Sequence, residues 1–154
     1  MKTSVLEVSG QESVEEAGDE TLSLVLFSGT DDRLTAAAVL VAGAAAMGRK
    51  VNVFLQYWAL AAFRRGAVRE DHGIAAEAGP EARETMRLLA VRGGYQHWSD
   101  TFQQAKEIGD VGIHACALSM DMFGLAKDDL DPLVDDVEGV AAFMAEATGP
   151  VVFI

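Results

Sequence analysis

Two short apolar runs, Leu22-Ser23-Leu24-Val25-Leu26-Phe27 and Lys50-Val51-Asn52-Val53-Phe54-Leu55, flank one alanine-rich segment, and that pattern leaves few folds open. Runs of this kind suit strands covered on both faces, as in a parallel sheet. Between them, Ser28-Gly29-Thr30-Asp31-Asp32 is turn chemistry. Asp31 or Asp32 can cap the helix that follows, and Gly48 supplies a left-handed stop after Met47. Strand, helix and strand make a βαβ unit, whose crossover is expected to be right-handed.

Further along, Glu81 to Val91 reads as a helix broken by Gly93-Gly94. Ser99 can cap another helix, in which Phe102, Ala105 and Ile108 share one face before Gly109 ends it. Val111-Gly112-Ile113-His114-Ala115-Cys116 is a third strand. Val137, Val140, Ala141, Phe143, Met144 and Ala147 recur at helical spacing, which predicts a helix over 136–147. Gly149-Pro150 then turns the chain into a last strand, Val151 to Ile154. The alternation predicts a three-layer α/β/α sandwich around a mainly parallel sheet of about five strands. Residues 64–80, rich in charge and glycine, read as a mobile loop or flap.

The expected division is an acidic, loosely ordered leader over 1–20 and one folded domain over 21–154. The leader has no apolar signal-peptide core, and its deletion is expected to leave the thermal midpoint nearly unchanged. A formal charge of −12 argues against a nucleic-acid surface and against attraction to anionic membranes. Leu34 to Gly48, the longest mostly apolar stretch, is about 15 residues, short of a membrane span. A single cysteine makes neither an internal disulfide nor a cysteine-rich zinc site, and suits a reducing, cytoplasmic compartment.

That cysteine, Cys116, ends the third strand, where an open parallel sheet collects its ligands and reactive groups. The start of a following helix would favour its thiolate. A lone cysteine is equally a small buried hydrophobe, and the residues leave both readings open. His114 shares its strand face with Cys116 and is either a neighbour of the thiol or a structural histidine. Ser28, Gly29 and Thr30 form a turn able to hold a small anion, although neither GxxxxGK[ST] nor GxGxxG is present. Tyr57 and Trp58 reach the same sheet edge, where they would shield a sulfur or bury a subunit contact. Ser119 and Met120, with Met122, Phe123 and Leu125, line a pocket beside Cys116 or belong to the core. Arg64, Arg65 and Arg69 would supply anion-binding groups if the flap folded over the thiol. The acids from Asp128 to Glu138 lack calcium-loop spacing and read as a solvated loop, and His72 and His97 stand apart from any ligand pattern, so neither a metal nor a cofactor is expected.

Leu24-Val25-Leu26-Phe27-Ser28-Gly29, Ala44-Ala45-Ala46-Met47-Gly48-Arg49-Lys50-Val51 leading into Phe54, and Ala115-Cys116-Ala117-Leu118-Ser119-Met120-Asp121-Met122-Phe123-Gly124 together resemble the DsrE/DsrF-like family, especially its soluble, peroxiredoxin-related branch. The resemblance spans residues 21 to 154, and its most specific element is Cys-x-x-Ser-Met-Asp. It implies a single α/β domain that assembles into oligomers, here a homo-oligomer expected to be a trimer or a multiple of it. It also implies that Cys116 carries sulfane sulfur as a persulfide, exchanged with a rhodanese or a TusA-like protein, as a sulfur carrier or sulfurtransferase. The other class of function left open is a non-catalytic oligomeric protein that binds a small ligand and whose cysteine is incidental.

Overall fold

The computed structural model describes residues 21–154, so the expected leader over 1–20 lies outside the described residues. Five strands, β1 (Leu22–Leu26), β2 (Val51–Leu55), β3 (Val111–Cys116), β4 (Asp136–Glu138) and β5 (Val151–Phe153), form one parallel sheet in the order β4-β3-β2-β1-β5. Parallel neighbours cannot be joined by tight hairpins, and helices supply the connections. These are α1 (Asp31–Ala46), α2 (Tyr57–Ala62), α3 (Pro80–Val91), α4 (Trp98–Ile108), α5 (Ala117–Phe123) and α6 (Val140–Glu146).

Strand alternation sorts the side chains onto two unequal faces. Leu24, Leu26, Val53, Leu55, Ile113 and Ala115 pack with Leu34 and Val41 of α1 and Phe102 of α4 in the main core. Alanines on α1 let that helix approach closely. At Gly109 a β-carbon would stand only 2.8 Å from that of Ala45, so glycine is needed where α4 gives way to β3. The opposite face carries Val25, Phe54 and Cys116, and α6 covers it through one buried side chain, Phe143. Among the described residues the third layer is therefore a single short helix.

Several local expectations change. The helix expected over 136–147 begins at Val140, because Asp136–Glu138 pairs with His114, Ala115 and Cys116 as β4. This strand lies inside the acid-rich stretch read as a loop. Asp135 explains how it is held: its carboxylate accepts from the Ile113 N–H at 2.8 Å and from Lys106 Nζ at 2.5 Å. His97, not Ser99, caps α4, and its Nδ1 accepts the Ser99 N–H at 3.2 Å.

Asp31 and Asp32 sit in the first turn of α1 rather than capping it, with Thr30 at the cap position. Their carboxylates instead anchor the segment expected to be a flap. Asp31 accepts from the His72 N–H at 3.1 Å and from Trp98 Nε1 at 2.9 Å, while Asp32 accepts from the Ala75 N–H at 3.1 Å. Earlier in the same segment the Arg65 N–H donates to the Asp129 carbonyl at 2.7 Å. These bonds tie the 64–75 stretch to α1 and to the 127–130 turn.

Candidate functional site

Cys116 is the last residue of β3 and the cap residue of α5, so it lies at the carboxyl edge of the sheet, where the sequence placed it. Its side chain turns toward the α6 face and is 2% exposed. Phe54, Phe143 and Val25 surround it, and the Phe54 and Phe143 rings stack with centroids 4.6 Å apart. No described cysteine stands near enough to resolve it, because it is the only one in the chain.

His114 does share the face of Cys116, but its ring leans back over Gly112. A β-carbon on Gly112 would meet His114 Nε2 at 2.5 Å, so the glycine makes room for the imidazole. Nδ1 of His114 pairs with Asp136 Oδ1 at 2.5 Å, with Glu138 Oε2 at 3.9 Å. Glu138 is the residue that sequence reading missed. It lies in register with Cys116 on the adjoining strand, so both side chains emerge side by side on one face. Burial raises its carboxyl above the usual carboxylate range; His114 and Lys50 oppose that shift, and Glu146 and Asp136 reinforce it. Only strand register reveals this neighbour.

Around the edge, Ser28 and Thr30 hydroxyls lie 3.2 Å apart and Gly29 is pressed against the Trp58 carbonyl. The start of α2 thus fills the space beside this turn. Tyr57 has φ +43, the only left-handed backbone at a non-glycine among the described residues. Such a conformation costs roughly 1–2 kcal/mol and persists where neighbours enforce it. Here its N–H donates to Ser119 Oγ at 3.2 Å, joining α2 to α5. Its ring packs on Phe27, which in turn stacks on Phe153. Ser119 and Met120 are buried, Met120 within the main core, whereas Trp58 is 57% exposed and meets Phe123 edge-on.

Two of the arginines that a folded-over flap would bring to the thiol are engaged elsewhere. Arg69 pairs with Asp100 at the start of α4, and Arg65 Nε donates to the Asp128 carbonyl at 3.0 Å. No group of three or more His, Cys, Asp or Glu residues that could hold a metal ion occurs among the described residues.

Residues 18–93 match the DsrE/DsrF/DrsH-like family. Over that span the chain is similar to that family. The matched span contains β1, α1, β2, α2 and α3, while Cys116 lies beyond it. "Uncharacterized protein YrkE" of Bacillus subtilis (strain 168) is 28% identical over 146 residues, covering 81% of this chain and 89% of that protein. Two solved structures share the fold. The protein of unknown function MTH1491 from Methanobacterium thermoautotrophicum has a TM-score of 0.54 and 13% identity over 88% of this DsrE-like chain and all (100%) of its own. The ychN protein from E. coli has a TM-score of 0.53 and 14% identity, covering 88% and 99% of the two chains. No helix among the described residues is long and apolar enough to cross a membrane.

Proposed function

We propose that this DsrE-like protein is a sulfur carrier or sulfurtransferase of a cytoplasmic sulfur relay, with Cys116 holding sulfane sulfur as a persulfide. Similarity over residues 18–93 to a family linked to sulfur relay supports the reading. The observation that carries it is the position of the chain's sole thiol at the β3–α5 junction, on the sheet edge where such folds place their chemistry. A hydropersulfide donor, R–S–SH, supplies the sulfur. The Cys116 thiolate attacks the outer sulfur, an S–S bond forms to Cys116, the donor's own S–S bond breaks, and the R–S⁻ leaving group takes up the proton released by the Cys116 thiol. The net exchange is R–S–SH plus thiol giving R–SH plus Cys116 persulfide, with no external oxidant. A rhodanese or TusA-like protein is the proposed donor or acceptor.

Access to the thiol requires α6 to move, because Phe143 lies against it. That helix holds to the sheet through one buried side chain, so its displacement exposes little else. A homo-oligomer, a trimer or a multiple, is part of the same proposal. The apolar groups left exposed at Trp58, Met122, Val137, Met144 and Phe153 support it. The burial of Cys116 among aromatic rings favours the second reading, a ligand-binding protein whose cysteine is packing.

Intact mass separates the two. After incubation with polysulfide, or with thiosulfate and a rhodanese, the wild type gains about 32 Da per sulfur, reversed by dithiothreitol. Cys116→Ser gains nothing. A wild type that takes up no sulfur from either donor and alkylates only when denatured is the outcome that leaves the binding-protein reading standing.

A further inference from the structure

We propose that the cavity beneath α3 is a binding site for a small amphipathic carboxylate, an apolar body carrying one anionic head. The site lies on elements that do not contact Cys116 and does not depend on the sulfur chemistry.

The cavity has a volume of about 380 Å³, within the range of small-ligand sites. Its roof is one face of α3, where Arg83, Met86, Arg87 and Ala90 follow at helical spacing. That face alternates apolar groups with cations, so it cannot settle into a dry core. No residue of α3 is buried, and the helix stands off the body between Gly79 (φ +80) and Gly93 (φ +74). An apolar body with an anionic head matches such a face on both counts.

Hydrogen-bond accounting gives the sign of the head group. The carboxylates at the cavity are mostly committed to the fold. Asp31 accepts from Trp98 Nε1 and the His72 N–H, and Asp71 accepts from the Gly73 N–H at 2.8 Å and Arg83 at 3.3 Å. Donors remain in surplus. Arg83 spends one of its five N–H groups on Asp71, and Arg87 spends two on Glu84. His97 uses Nδ1 as an acceptor for Ser99, so its neutral ring carries the proton on Nε2 as a donor. Glu70 is the one lining residue whose carboxylate makes no hydrogen bond or ion pair among the described residues. The ion pairs that hold the arginines are solvent-exposed and weak, so a ligand carboxylate can share or replace them.

The floor completes the match. Tyr95 donates its hydroxyl proton to Thr35 Oγ1 at 3.0 Å, because the Thr35 proton goes to the Asp31 carbonyl at 2.6 Å. The ring of Tyr95 is thereby held as an apolar wall, facing Ile74, Met86 and Ala90 across the cavity. The head group belongs at Arg83 and Arg87, the body between Met86, Ala90 and Tyr95.

Calorimetric titration of the full chain with 4-phenylbutyrate, and with its neutral amide, tests this. The carboxylate should bind saturably with a Kd near or below about 1 mM, and the amide at least tenfold more weakly. The double variant Arg83→Gln, Arg87→Gln alters exposed side chains only, and should bring carboxylate affinity down to that of the amide. Ala90→Trp should fill the cavity and abolish both. Thermal unfolding of each variant confirms that it is folded. The proposal is overturned by no saturable heat with the carboxylate up to about 10 mM, by equal affinity for acid and amide, or by a folded Ala90→Trp that binds like wild type.

Discussion

Phe143 lies stacked on Phe54, their planes 13° apart, and Cys116 completes the cluster beneath them. The same contact fixes α6 and closes off the thiol. Phe143→Ala should therefore destabilise the fold by about 3 kcal/mol, the ordinary cost of deleting a buried aromatic ring. It should also speed alkylation of native Cys116 at least about tenfold, because local opening becomes easier. Iodoacetamide labelling under native conditions, followed by intact mass, measures it. A variant that is destabilised yet labels no faster would show that α6 does not gate the thiol.

Acid should weaken the α4 start through His97. Burial, and then the charge of Arg69, hold its pKa below the ordinary 6.5, against the opposing pull of Asp31 and Asp100. A histidine depressed in the native state binds fewer protons there than in the unfolded chain, so stability rises with pH across this range. Its contribution is fully present above 6.5 and is lost as pH falls from there through the native value. Protonation also removes the lone pair that accepts the Ser99 N–H. His97→Asn keeps a capping acceptor without the titration, and should flatten the urea midpoint against pH below 6.5. An unchanged pH slope in the variant would assign the acid sensitivity to other groups.

Gly29→Ala should be costly although the turn is partly exposed. A β-carbon there would overlap the Trp58 carbonyl oxygen, which is rigid backbone at the start of α2. The α2 start is already constrained by the left-handed Tyr57 and its bond to Ser119. A loss of about 1–3 kcal/mol, the cost of overpacking, is expected in chemical denaturation. Gly43→Ala is the contrast, since its β-carbon would meet nothing within 4 Å and sits inside α1. That change should stabilise by about 0.5–1 kcal/mol.

Apolar runs and helical spacing by themselves determined the βαβ start, the last strand, the helix at 81–91 and the position of Cys116 at the end of β3. These are local properties: each follows from periodicity and from breakers such as Gly48 and Gly109 within a few residues. Tertiary structure decided the rest. β4 emerged from an acid-rich stretch because pairing with His114, Ala115 and Cys116 satisfies its backbone, a gain no local pattern encodes. His97 displaced Ser99 as the cap, and Asp31 was drawn from capping to hold Trp98 and His72, residues far along the chain. Glu138 stands beside Cys116, and Met86 and Ala90 face Tyr95 across a cavity, only because separate elements meet in space. Whether the thiol was open or covered likewise rested on one distant ring, Phe143, since burial depends on what the whole chain brings to a surface.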